Sequence, residues 1–129
     1  MLNAVIVDAN AVSRALLNTV LTEGSYNVAG MTHSAPLGYL MVQKYQPHLF
    51  CIALDQADDG SDVVEQIRAN YPKTLVFMMS GALDAPTLQK ALARGVSGFI
   101  VKPFNADKVL RTIRATVIAM IKKQQGAQA

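Results

Sequence analysis

The stretch Leu49-Phe50-Cys51-Ile52-Ala53-Leu54, followed by Asp55, Asp58, Asp59, Asp62 and Glu65, decides the fold. Six apolar residues lie between Pro47 and Gly60 with no alternation of polarity. A run of that length and character fits a strand covered on both faces, as in a parallel sheet flanked by helices. Ligands of such sheets bind beyond the carboxyl ends of the strands. Function is therefore expected around Ala53 to Gly60.

The same unit recurs on either side. Leu2 to Val7 is an apolar run ending at Asp8, after which Val12, Leu16, Leu17, Val20 and Leu21 return at helical spacing up to Gly24. Tyr26 to Met31 is a weaker strand. It precedes a helix capped by Ser34 and opened by Pro36, with Leu37, Leu40, Met41 and Tyr45 as its apolar face. Beyond the acidic loop, Val63, Val64, Ile67 and Tyr71 mark a short helix closed by Pro72. Thr74 to Met79 is a fourth strand, and Asp84 and Gly95 bound the helix after it. Gly98 to Val101 is the fifth strand. Asn105 then caps a last helix with Val109, Leu110, Ile113, Val117, Met120 and Ile121 on one stripe.

Five strand-helix units with short connections predict an α/β fold, a doubly wound five-stranded parallel sheet with helices on both faces. The 129 residues suffice for one domain with a real core, expected over 1–123, with a frayed tail over 124–129 and no output domain. Cys51 is the lone cysteine and sits inside the apolar run, which makes it a packing residue of a reduced compartment. Neither a signal peptide nor a membrane span is visible, so the reading is cytoplasmic. Net charge is +3, with seven basic residues against the single acid Asp107 from Arg94 onward. A solvated basic helix face accounts for that imbalance, and a nucleic-acid partner is not expected.

Four residues fall at carboxyl ends of strands: Asp8, Asp55, Ser80 and Lys102. A carboxylate, a hydroxyl and an ammonium on one rim suit phosphoryl chemistry. The acidic cluster lacks the twelve-residue spacing of a calcium loop, and Asp62 and Glu65 complement a helix dipole. His33 and His48 are expected in solvent, remote from chemistry. A flavin site would need a hydroxyl- or glycine-rich loop after the first strand, which Asp8-Ala9-Asn10-Ala11 does not offer.

These motifs resemble the receiver domains of two-component response regulators. Val7-Asp8-Ala9-Asn10 with Arg14 is similar to the family's acidic strand end, Pro47 to Gly60 to its phosphoacceptor strand and loop, and Ser80-Gly81 to its hydroxyl position. Gly95 to Phe104 (GVSGFIVKPF) is similar to its aromatic, lysine and proline signature. The resemblance implies a CheY-like strand order of 2-1-3-4-5. It also implies a cis peptide between Lys102 and Pro103, a switch aromatic at Phe99 that as Phe should stay buried, and a partner face of Lys90, Arg94, Phe99, Phe104, Lys108 and Arg111. Its implied partners are a histidine kinase, a phosphotransfer protein or an output protein, with a homodimer also open.

In the family, two acids after the first strand and an aspartate ending the third hold Mg2+, and that aspartate accepts the phosphoryl group. Here Ala9 stands at the second acid, and Pro47 plus six, the usual acceptor position, is Ala53. Asp55, on the same strand face but about 6–7 Å further along, is the alternative acceptor and, with Asp8, the only metal site left. The expectation is a degenerate pseudo-receiver, a binding module and not an enzyme. It has no cofactor, and Lys102 pairs with Asp8 or Asp55 beside Ala53 and Ser80 on a vestigial rim. Mg2+ enters only if Asp55 is the acceptor.

Overall fold

The computed structural model describes residues 1–128, with side chains as far as Gly126. Strands β1 (Asn3–Val7), β2 (Asn27–Thr32), β3 (Leu49–Ala53), β4 (Leu75–Ser80) and β5 (Gly98–Val101) form one parallel sheet in the order β2-β1-β3-β4-β5. The helices are α1 (Ala11–Glu23), α2 (Ala35–Tyr45), α3 (Leu54–Ala57), α4 (Val63–Asn70), α5 (Ala85–Arg94) and α6 (Ala106–Gln128). The class and strand order are those expected. No helix among the described residues is long and apolar enough to cross a membrane.

Every residue of β3 is buried, and its period of two divides the core. Phe50 and Ile52 join the layer under α2, α4 and α5, while Leu49, Cys51 and Ala53 join the layer under α1 and α6. Burial pushes the Cys51 thiol up to about 12, so it packs as a hydrophobe.

Three expectations are corrected. Strand β3 stops at Ala53 and Leu54–Ala57 closes a helical turn, because Leu54 and Ala57, three apart, both turn inward. Asp55 is therefore on α3, not on a strand face. The last helix is assigned to Gln128, past the expected domain end at 123, and residue 129 of the expected tail lies outside the described residues.

The buried faces of α1 and α2 also differ from the expected stripes. Only Leu17 and Leu21 of α1 are buried, and Leu37, Leu40 and Tyr45 of α2 are exposed while Ala35, Gly38 and Val42 face the sheet. Small residues win that face because α2 lies close to β1. A Cβ on Gly38 would come 2.4 Å from Val7 Cγ2 and 3.3 Å from the Phe50 ring. Gly38→Ala should therefore destabilise by about 1–3 kcal/mol through overpacking, despite the ~1 kcal/mol by which Ala favours a helix. A urea midpoint equal to or above that of the parent would show that α2 can lift away.

Candidate functional site

The period of two that places Ile6, Cys51 and Ile100 under α1 and α6 carries on to Asp8, Ala53 and Lys102 at the carboxyl edge. A cavity of about 280 Å³ opens there, lined among others by Asp8, Ala53, Asp55, Gln56, Ser80 and Lys102. All four strand-end residues singled out in the sequence thus meet at one rim.

Asp8 is its anchor. The residue is only 3% exposed. Its Oδ2 accepts from Lys102 Nζ at 2.6 Å and its Oδ1 from the Asn10 backbone N–H at 2.9 Å. Charge-assisted bonds of this length are the strong class. Asn10 in turn caps α1, its Oδ1 accepting from Ser13 N at 3.0 Å, and Arg14 Nη1 donates to the Asp8 carbonyl at 2.7 Å. Lys102 is set by its backbone: its N–H donates to the Ser80 carbonyl at 3.0 Å, and its peptide to Pro103 is cis. Ser80 Oγ accepts from Ala82 N at 3.0 Å. Lys102 thus meets Asp8, not Asp55.

Gln56 was not anticipated. Its Oε1 accepts from Ala9 N at 3.2 Å, joining the turn after β3 to the turn after β1. A helical turn starting at Leu54 brings residue 56 back over the strand end, and four residues are too few for periodicity to announce it.

The fit of this rim to Mg2+ can be judged from its donors. One buried carboxylate is present, with both oxygens already engaged by an ammonium and an N–H, and beside it the cavity is lined by Ala9, Ala53 and the exposed Asp55. Among the described residues no three acids, histidines or cysteines are placed to share a metal ion. A near-octahedral oxygen shell does not fit this set.

The basic face is changed in one member. Arg94 clamps the acidic loop: Nε and Nη2 reach the Glu65 carboxylate at 2.9 and 3.1 Å, Nη1 reaches Asp58 at 2.9 Å, and Nη2 reaches the Ala57 carbonyl at 2.8 Å. Lys90, Lys108 and Arg111 remain exposed, and Phe99 and Phe104 are half-buried. Phe99 was expected to be fully buried. It instead borders a cleft of about 360 Å³ with Val101, Lys108 and Arg111, because β5 is the edge strand of the sheet. His48 is exposed, as expected, with its Nδ1 accepting from Asn3 N at 2.9 Å.

The Arg94 hydrogen bond holds the Glu65 carboxyl below the usual carboxylate range. A depressed folded value gives stability that is full above the unfolded value and lost as pH falls through the folded one. Arg94→Ala is expected to cost about 1–2 kcal/mol at neutral pH, mostly through the Ala57 carbonyl, since the Glu65 pair is largely solvated. The gap to the parent should narrow in acid. Urea titrations at neutral and acid pH check this, and a pH-independent gap would remove Glu65 from the account.

A family model described as response regulator receiver domain matches residues 4–114. The chain belongs to that family. A chemotaxis protein CheY of Listeria monocytogenes is 29% identical to this receiver over 117 residues, covering 88% of this chain and 96% of the relative. The CheY of Bacillus subtilis is 25% identical, covering 87% and 94%. Among solved structures, CheY4 of Vibrio cholerae superposes with a TM-score of 0.81 at 22% identity over 90% of this receiver and 98% of that chain. NtrX of Brucella abortus gives 0.84 at 23% identity over 98% of this receiver and 28% of that chain. These two likenesses speak for the fold.

Proposed function

We propose that this receiver is a pseudo-receiver, a cytoplasmic binding module of two-component signalling that acts by protein contact and accepts no phosphoryl group. The Asp8–Lys102 pair at 2.6 Å, beside Ala53 at the family's acceptor position, carries this reading. The lysine that would neutralise charge on an incoming phosphoryl group is already neutralised, and the nucleophilic carboxylate is missing. The rim is thereby held in one charge arrangement without input. Its partner is a histidine kinase, a phosphotransfer protein or an output protein, met through Lys90, Lys108 and Arg111, with the Phe99 ring beside Lys108 and Arg111. Such a face favours an acidic surface.

Intact mass after incubation with acetyl phosphate and Mg2+ tests the reading. An unchanged mass is expected, and gain of one phosphoryl group refutes it. One observation favours a second reading: Asp55 lines the same cavity as Asp8, Ser80 and Lys102. If mass is gained, Asp55→Asn should abolish the gain.

A further inference from the structure

The longest stretch without Asp, Glu, Lys or Arg runs from Gly24 to Gln43, between Glu23 and Lys44. It folds into one edge of the molecule, made of β2 and α2. Strand β2 pairs only with β1, so its outer row of backbone N–H and C=O groups has no strand beside it. Edge strands are ordinarily guarded by charge or proline, and Asn27–Thr32 (NVAGMT) has neither.

Apolar side chains lip this edge on both faces. Helix α2 lays Met41 and Tyr45 over Gly30, where a Cβ would come 2.8 Å from Met41 Sδ and 3.3 Å from the Tyr45 ring. Along the same helix Leu37 is 43% exposed and Leu40 58%. On the opposite face of the strand, in register with Ile6, Met31 is 40% exposed. Leu37, one turn before Met41, therefore continues the Met41 and Tyr45 row beside the open strand, while Leu40 is presented to solvent on the far side of α2.

We propose that this edge is where two copies of the chain meet, about a two-fold axis that sets β2 antiparallel to the second copy's β2 and brings the two α2 helices together. Charge selects this occupant. The chain carries +3 overall, and a two-fold contact through α5, β5 and α6 would bring two patches holding Lys90, Lys108 and Arg111 together. The β2–α2 edge lets two identical basic molecules meet with few like charges in contact, and charge depletion is what interface centres show. Lys44, at its end, is the one ammonium or guanidinium of the edge, too little to draw an acidic protein or a nucleic acid. Antiparallel pairing of an edge strand with itself is self-complementary, which a two-fold contact requires. Lys44, the charge that ends the run, lies over the Tyr45 ring with its Nζ 5.2 Å from the centroid.

Sedimentation velocity of the full chain from low micromolar to hundreds of micromolar provides the test. A concentration-dependent dimer is expected. Leu37→Glu and Met31→Lys, both at exposed positions, should each weaken it by about tenfold or more. Lys73→Glu, on the loop before β4, should leave it unchanged. Circular dichroism at dilute concentration keeps folding separate from association. A chain that stays monomeric throughout, or a dimer that survives both edge substitutions, overturns the proposal. Neither outcome bears on phosphorylation, which the mass measurement decides separately.

Discussion

The double variant Ala9→Asp/Ala53→Asp, incubated with acetyl phosphate and Mg2+, is expected to gain one phosphoryl group where the parent gains none. The basis is that Ala9 and Ala53 already line the rim cavity with Asp8 and Lys102, so carboxylates at both positions would point into it. Ala53 ends β3 in register with Met79, one residue before Ser80, and shares its sheet face with Asp8 and Lys102. The cavity of about 280 Å³ leaves room for a carboxylate at position 53. Ala9 follows Asp8 directly, so an aspartate there completes the acid pair.

Three carboxylates around one cavity repel one another, and that repulsion is relieved by a divalent ion. Mg2+ should accordingly raise the melting temperature of the double variant and leave the parent unmoved. Saturation at a hundred times the dissociation constant corresponds to about 2.7 kcal/mol. Either single variant should fall short, since each restores only part of the charge. A folded double variant that neither binds Mg2+ nor gains mass would place the defect in the loop that carries Gln56, and the reading of position 53 would fail.

What the chain reveals before folding follows from how local each signal is. The five strands are apolar runs bounded by turn residues, and a sheet buried on both faces needs no more than that. Asp8, Ser80 and Lys102 were legible as site residues because each ends or follows such a run. The pairing of Lys102 with Asp8 was not, because the choice between Asp8 and Asp55 depends on where β3 stops. That boundary is set by Leu54 and Ala57 turning inward, a pattern one turn long. The clamp of Arg94 was likewise invisible, since Asp58 and Glu65 lie 36 and 29 residues away. The faces of α1 and α2 were misread for a different reason. Each helix carries two apolar stripes, and the sheet takes the one that lets the backbones approach, which in α2 is Ala35, Gly38 and Val42 and not the larger leucines.

The second large effect expected is on stability. Lys102→Met should destabilise the chain by about 2–4 kcal/mol, the range for removing one partner of a buried, hydrogen-bonded ion pair. Methionine keeps most of the lysine stem, so packing is conserved and the loss is that of the ammonium. Asp8, with a side chain 4% exposed, then holds its charge with the Asn10 N–H alone. The converse substitution, Asp8→Asn, should cost about 1 kcal/mol, because the Lys102 side chain is 24% exposed and can swing its ammonium into water. Combining the two should recover most of the Lys102→Met loss, since no buried charge remains to be paired. Urea denaturation of the four chains gives the cycle directly. A Lys102→Met chain within about 0.5 kcal/mol of the parent would mean that water entering from the cavity already solvates Asp8. The lysine would then not be fixing the rim. The asymmetry of the cycle is the informative quantity: it identifies the aspartate as the group that must be satisfied and the lysine as the one that satisfies it, which is the order a rim held in one state without phosphate requires.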